Sequence, residues 1–566
     1  MKEFFNRERI RKSKKSQYII YCILFLILFI PNFFTLLYAG DLHGNLKMSL
    51  SYLILSLFVW LLPLLFLNVK NYFRLGLFFF LFAPLEIGFV KVTGVPINIG
   101  LMESILNTNF LEAKEQIFSN LPTLYFLILI LIFYCYLLTF VNENSLKRKW
   151  KIALFSIFLF LNVTLYYNMF SLLPNYLSFR DKLIDSFNNT TKKYEKVFPA
   201  NVVLNTIYAI NSNIKNKNFA KEIENFSFNA KQKSINSENE IYILVIGESA
   251  RRHNFHLYGY PRETTPELEK IKNLIPFTNV NSTATLTLLS VPQIITRANP
   301  ENFDLQFKEK TILDIFHEAN YYTAWIGTQS LSTPVIKRLE RVCNYNYVLK
   351  MDTSSGNFYD GDILKNIQKV IDEKSNKKKF IIIHSLGSHF RYSNRYPSNF
   401  EKFKPNISKS GYSNIGLEYK KELINSYDNS IFYTDYFLSS IIKKVQKANA
   451  VSGLIYLSDH GENLYDDNKN FSHGSEKPPK FEYKIPYLVW FSEKYKDLYP
   501  NKVEALKKNK DKKASSIATF YSLSDMANIS YKHSEEEINK SIFNLNYKEP
   551  IKRKILNSKK EVITVE

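Results

Sequence analysis

Cysteine is almost absent, with three in 566 residues: Cys22, Cys135 and Cys343. That excludes a disulfide scaffold and any zinc cluster built from thiolates. Two of the three sit inside long apolar runs, where a cysteine is ordinarily a small buried hydrophobe. Acidic residues are the minority, 52 Asp and Glu against 74 Lys and Arg, a formal net charge of +22. Such an excess points to an anionic partner, either nucleic acid or a membrane, unless it is compositional bias alone. No ribonucleoprotein signature, zinc-finger spacing or glycine-rich nucleic-acid element accompanies it, so nucleic acid is set aside. No internal repeat is present.

Charge is missing altogether from four long stretches, residues 18–39, 48–69, 123–141 and 152–173. Each matches the ~20 residues needed to cross a ~30 Å hydrocarbon layer, and each is apolar all round rather than on one face. A fifth stretch, 75–90, is shorter and carries Glu86. The expectation is five membrane spans. The first has an apolar core longer than the ~7–15 residues of a cleaved signal peptide, and further spans follow it. Lys2, Arg7, Arg9, Arg11, Lys12, Lys14 and Lys15 precede it. Lys70 and Arg74 follow the second span, and Lys147, Arg148, Lys149 and Lys151 the fourth, in the order 18–39, 48–69, 75–90, 123–141 and 152–173. The opposite loops hold only Lys47, Lys91 and Lys114. The basic side is cytoplasmic, and an odd number of spans places everything after residue 173 outside. In the outer loop 91–121, Ser104, Thr108 and Glu112 recur every fourth residue, one stripe of a helix. Residues 174–238 read as a connector rich in Asn, Lys and Ser, part of it suited to a helix in the membrane interface.

From residue 240 the pattern becomes short apolar runs, 241–246, 322–326, 380–384, 454–457 and 487–491, separated by polar and helical stretches. Runs without alternation suit parallel strands covered on both faces, and such sheets collect their sites at the strands' carboxyl ends. Polar residues stand there: Glu248 after the first, His384 to His389 after the third, Asp459 and His460 after the fourth. Two carboxylates and an imidazole are donors that Zn²⁺ accepts. The stretch Asn281-Ser-Thr-Ala-Thr-Leu-Thr-Leu-Leu-Ser-Val-Pro292 is dense in hydroxyls and then turns apolar and helical. A hydroxyl at a helix start is either a cap or a nucleophile whose alkoxide the helix dipole stabilises. His389 and His473, two of nine histidines, lie in glycine-containing loops.

At these residues the sequence resembles the phosphoethanolamine transferases of bacterial lipopolysaccharide, in the alkaline-phosphatase/sulfatase-like superfamily. The resemblance is carried by Val245-Ile-Gly-Glu-Ser-Ala-Arg-Arg252, Gly259-Tyr-Pro-Arg-Glu-Thr-Thr-Pro266, the threonine-rich run ending at Pro292, His384-Ser-Leu-Gly-Ser-His389, Ser458-Asp-His-Gly-Glu462 and Ser472-His-Gly474. It implies a five-helix transmembrane bundle followed by an α/β/α sandwich of alkaline-phosphatase/sulfatase type. The divisions expected are 1–173 membrane, 174–238 connector, 239–548 periplasmic catalytic domain and 549–566 polar tail. It also implies a bacterial inner-membrane enzyme, monomeric, with a cytoplasmic N-terminus. The enzyme would move phosphoethanolamine from phosphatidylethanolamine to lipid A or the lipopolysaccharide core through a phosphothreonine.

Counting back from Pro292, the family's nucleophile falls on Thr287. Glu248, Asp459 and His460, with the Thr287 oxygen, match its zinc ligands, and His389 and His473 match histidines near the transferred phosphate. Thr108 and Glu112 match positions that contact the lipid headgroup. Ser104 stands where lipid A-modifying members often have Asn. In Trp325-Ile-Gly-Thr-Gln-Ser330-Leu-Ser-Thr333, Ser330 matches whereas Thr333 replaces a common Lys. Two rivals remain: a phosphoglycerol transferase of related fold, and a non-catalytic membrane protein that binds glycolipid. A sulfatase's Cys/Ser-x-Pro-x-Arg setting is absent around Thr287.

Overall fold

A computed structural model describes residues 13–39, 42, 46–107, 121–173, 179–233, 238–329, 333–349, 358–407 and 416–565. Thr108, Glu112 and Ser330 lie outside the described residues. The chain divides into two compact units, one formed by residues before 104 together with 120–210, the other chiefly by 211–566.

The N-terminal unit is helical: α1 (Lys14–Tyr38), α2 (Leu46–Leu61), α3 (Val69–Phe80), α4 (Ala83–Thr93), α5 (Ile99–Asn107), α6 (Leu121–Leu138), α7 (Arg148–Ser171), α8 (Phe179–Tyr194) and the start of α9 (Ala200–Glu222). Among the described residues three helices, α1, α2 with its 3₁₀ extension to Leu65, and α7, are long and apolar enough to cross a membrane. The stretch expected as a span at 75–90 falls in a bent pair of helices, α3 and α4, with 47° between them, either one broken span or a re-entrant loop. Pro84 in the first turn of α4 accounts for the restart, because a proline there gives up only an N–H that has no helical partner. Tyr125–Leu138 is a shorter apolar helix. Ser104 lies in α5 and is half-buried.

Two buried polar side chains of this unit, Asn32 and Glu86, are held by hydrogen bonds, as an apolar surrounding favours. Asn32 donates to Tyr52 Oη (3.2 Å) and to the Phe198 carbonyl (2.9 Å), and accepts from Trp60 Nε1 (3.1 Å). Glu86 is fully buried and accepts from the Ile97 amide and Asn201 Nδ2.

The C-terminal unit is built on a seven-stranded sheet: β1 (Glu240–Gly247), β2 (Leu274–Pro276), β3 (Tyr322–Gly327), β4 (Tyr345–Val348), β5 (Lys378–His384), β6 (Val451–Ser458) and β7 (Tyr487–Phe491). Their spatial order is β2-β7-β6-β1-β5-β3-β4. β1, β3, β4, β5 and β6 are parallel, whereas β7 runs antiparallel to both β6 and β2. The expectation of a wholly parallel sheet is corrected at that edge. All eight residues of β1 and of β6 are buried, in keeping with helices on both faces. The short helix α10 (Thr287–Ile295) and the long α11 (Lys420–Lys447) flank the site. Residues 549–566, expected as a polar tail, include a hairpin, Lys554–Leu556 with Val562–Thr564, whose Leu556 is buried and bridges to Ala284.

Candidate active site

Strand register makes the site. β1 and β6 pair in parallel with Gly247 opposite Ser458, so the next residues, Glu248 and Asp459, emerge side by side at the sheet's carboxyl edge. The Asp459 amide donates to the Gly247 carbonyl (3.0 Å), which extends the pairing by one more residue. β5 lies on the other side of β1, and its loop closes over Glu248, Ser388 N donating to the Glu248 carbonyl (2.9 Å). Gly387 is required there. It has φ +50, and a Cβ would stand 2.8 Å from the Glu248 amide nitrogen and carbonyl oxygen. Asp360 holds the same loop by accepting from the Leu386 and Gly387 amides.

Thr287 is the first residue of α10. Its Oγ1 donates toward Glu248 Oε2 at 3.1 Å and lies 3.2 Å from His460 Nε2. Thr283 and Thr285, the other threonines of the same run, are placed differently. Thr283 Oγ1 pairs with Ser516 Oγ at 3.0 Å, and Thr285 Oγ1 is buried without a hydrogen-bond partner among the described residues. Pro292 is the sixth residue of the helix, past the amides that lack helical partners. Its ring therefore costs the bond to the Leu288 carbonyl, and the helix ends three residues later.

His460 Nε2 also lies 3.3 Å from Glu248 Oε1 and 3.4 Å from Asp459 Oδ2, so three oxygens converge on one nitrogen. His460 Nδ1 is 2.9 Å from the Gly461 carbonyl. With the proton on Nδ1, that contact turns the Nε2 lone pair toward the oxygens, as in many metal-bound histidines. Asp459 Oδ2 is buried and accepts no hydrogen bond among the described residues. An orphaned carboxylate oxygen beside a second carboxylate is costly unless a cation joins them. Glu248, Asp459 and His460 can each place a ligand atom within 4.8 Å of the others, and all are buried. This oxygen and nitrogen set fits Zn²⁺.

The electrostatics agree. Burial works against the charged Glu248 carboxylate, but His460, then His389 and His473, hold its pKa well below the usual range. Burial and the neighbouring Glu248 charge push Asp459 up to about 8. Burial alone would lower His460, yet Asp459 and Glu248 raise it to about 10. A buried cluster that keeps one carboxylate ionised while drawing protons to its neighbours is asking for positive charge.

His473 lies against His460, ring centroids 4.0 Å apart, with Nδ1 2.9 Å from Glu462 Oε2. Burial and then His460 hold its pKa below the ordinary value. His460, Glu462 and His473 form a second group able to hold a metal. His389 Nδ1 meets the Phe390 carbonyl at 2.6 Å. Three residues escaped the sequence reading. Gln329 Nε2 donates to Glu248 Oε2 (3.1 Å) and contacts His384 Nε2 (2.8 Å). Ser290 donates to the Asp459 carbonyl (2.6 Å), and Ser282 donates to the same oxygen. Glu462 was visible only as the last residue of Ser458-Asp-His-Gly-Glu462.

A largely parallel sheet with carboxylates, an imidazole and a helix-start hydroxyl at its carboxyl edge defines the alkaline-phosphatase/sulfatase class of fold. The family model described as Sulfatase matches residues 240–529, and the chain belongs to that family. It is 35% identical over 306 residues to phosphoethanolamine transferase EptC of Escherichia coli K12, covering 52% of each chain. The chain thus spans about half the length of the curated relatives it matches. The C-terminal periplasmic domain of E. coli EptC, crystallised in complex with Zn, superposes with TM-score 0.53 at 34% identity, covering 59% of this chain and 95% of that one. The integral membrane lipooligosaccharide phosphoethanolamine transferase A of Neisseria meningitidis shares the fold over 90% of this chain and 95% of its own, with TM-score 0.65 at 21% identity.

Proposed function

We propose that the chain transfers phosphoethanolamine from phosphatidylethanolamine to an envelope glycolipid, lipid A or the lipopolysaccharide core, through a phosphothreonine at Thr287. The observation that carries this is the position of Thr287 Oγ1, at a helix start within reach of both Glu248 and His460. The relatives named phosphoethanolamine transferase support the choice of headgroup.

Glu248, Asp459 and His460 would hold Zn²⁺ with the Thr287 oxygen, supplying the Lewis-acid charge that lowers the pKa of a bound hydroxyl. Thr287 Oγ attacks the donor phosphorus, and the bond to the diacylglycerol oxygen breaks. His389 or His473 gives that oxygen its proton. The amino end of α10 stabilises negative charge at Thr287. In the second half, a hydroxyl or phosphate oxygen of the acceptor attacks the phosphothreonine. The same imidazole takes back a proton where the acceptor carries one, and Thr287 is released. Gln329 fixes the Glu248 carboxylate, while Ser282 and Ser290 fix the Asp459 backbone. Ser104, Thr108, Glu112 and Ser330 are proposed to bind substrate.

The proposed setting is a bacterial inner membrane with five spans, a cytoplasmic N-terminus and the C-terminal unit in the periplasm, as a monomer. A reporter active only outside the cytoplasm should work when fused after Glu238 and stay silent after Lys149. The reverse pattern would put the site on the wrong side for its acceptor. For the function itself, mass spectrometry of envelope glycolipids from cells with and without the gene should show phosphoethanolamine lost with the gene. Glycolipids unchanged in this respect would favour the phosphoglycerol transferase or a non-catalytic binder.

A further inference from the structure

Glycine is the usual occupant of a positive φ, yet the second residue past β1 is Ser249, at φ +56. A residue with a Cβ stays in that conformation only when its surroundings impose it. Ser249 is wholly buried, and each of its polar groups is engaged. Its Oγ donates to Glu248 Oε1 (2.9 Å) and its amide to Asp459 Oδ1 (3.1 Å). Its carbonyl accepts from Tyr427 Oη (2.7 Å), which in turn accepts from the Arg251 amide (2.8 Å). The Ala250 amide donates to Ser458 Oγ (2.8 Å), tying the turn to the end of β6.

The consequence falls on both carboxylates at once. Asp459 Oδ1 also accepts from the His460 amide (2.7 Å), so two N–H groups hold that oxygen and Oδ2 is the one 3.4 Å from His460 Nε2. Glu248 is gripped at both oxygens, by Ser249 at Oε1 and by Gln329 Nε2 at Oε2 (3.1 Å). Two buried carboxylates side by side repel each other, so each needs fixed donors to stay in place until a cation joins them. Donors already aimed at the ligands leave little to reorganise when the ion binds. The turn by itself does not call for serine, since glycine would take φ +56 more easily. What serine adds is the hydroxyl on Glu248.

We propose that Ser249 is a positioning residue for the metal centre, its left-handed backbone aiming the amide at Asp459 and the hydroxyl at Glu248 so that both carboxylates stand ready for Zn²⁺. Tyr427, from α11, is the brace of the turn, its hydroxyl lodged between the Ser249 carbonyl and the Arg251 amide. The inference rests on the zinc reading of Glu248, Asp459 and His460, and concerns what makes that site tight. It depends on no particular lipid donor or acceptor.

The test titrates the full chain, stripped of metal and held in detergent, with Zn²⁺ in competition with a chromophoric chelator. Ser249→Gly keeps the amide and suits the backbone but lacks the hydroxyl, and should weaken zinc binding about 10–100-fold. Ser249→Ala lacks the same hydroxyl and should weaken it as much. Tyr427→Phe removes the brace and should cost about three- to tenfold, the worth of one neutral hydrogen bond. With Co²⁺ in place of Zn²⁺, the visible absorption bands of Ser249→Gly should shift, a signature of ligand arrangement that a change in overall stability does not move. If Ser249 serves only the turn, the glycine variant will bind zinc at least as tightly as the unaltered protein, with the same cobalt spectrum. That result would overturn the inference and leave the zinc reading standing. Unaltered protein that holds no zinc would overturn the zinc reading itself, and this inference with it. Should Ser249→Ala or Tyr427→Phe fail to fold, the glycine variant decides alone, because glycine at φ +56 relieves the turn.

Discussion

Thr287→Ala should lower transfer by roughly 10⁴- to 10⁶-fold, the scale on which enzymes lose rate when their nucleophile is removed. The protein should still fold and insert in the membrane, because Thr287 is only half-buried and no hydroxyl is required to begin a helix at that position. Thr287→Ser keeps an oxygen at the same place and should keep part of the activity. Incubation of the unaltered protein with phosphatidylethanolamine, followed by peptide mass mapping, should find the added group on Thr287. The contacts of the three close hydroxyls are the reason for proposing Thr287. Thr283 is engaged with Ser516, Thr285 is buried, and Thr287 alone of the three meets Glu248 and His460. Label on Thr285, or full transfer by Thr287→Ala, would show that another residue carries the group.

The second large effect concerns the metal. Asp459→Ala or His460→Ala removes a proposed ligand and should weaken zinc binding beyond the roughly 10–100-fold that loss of an outer partner costs. Gln329→Ala, which strips a hydrogen bond from Glu248, should fall within that 10–100-fold range. His389→Ala should keep zinc near full occupancy while slowing turnover about 10²-fold, as expected for a proton donor. Thermal unfolding supplies a readout separate from turnover. Zinc at a thousand times its dissociation constant stabilises a folded protein by about 4 kcal/mol. That gain should survive in His389→Ala and vanish in Asp459→Ala. Loss of zinc from the His389 variant would make His389 a ligand and overturn the division of roles.

Much of this was legible because physics marks it locally. β1, β3, β5 and β6 are covered on both faces, so they read as unbroken apolar runs, and their carboxyl ends flag Glu248, Asp459 and His460 without further information. β2 and β4 escaped notice because they are short and only partly buried. The reversed direction of β7 left no trace either, since a buried strand is equally apolar whichever way it runs. Gln329 and Ser282 were hidden for a related reason. A single polar residue in a loop or a hydroxyl-rich run becomes meaningful only when tertiary contacts show what it touches. The bend between α3 and α4 shows the limit of composition, since hydropathy reports how apolar a stretch is and not whether its axis is straight.

In the proposed reaction a phosphoethanolamine headgroup leaves a phospholipid and arrives on a glycolipid. The most direct measurement gives the purified, zinc-loaded protein phosphatidylethanolamine labelled in its ethanolamine, with lipid A as acceptor, and follows label and diacylglycerol together by mass spectrometry. The predicted result is label on the glycolipid with one diacylglycerol released per group transferred. Label that stays on the phospholipid, while phosphatidylglycerol in a parallel reaction yields glycerophosphate on the acceptor, would contradict it.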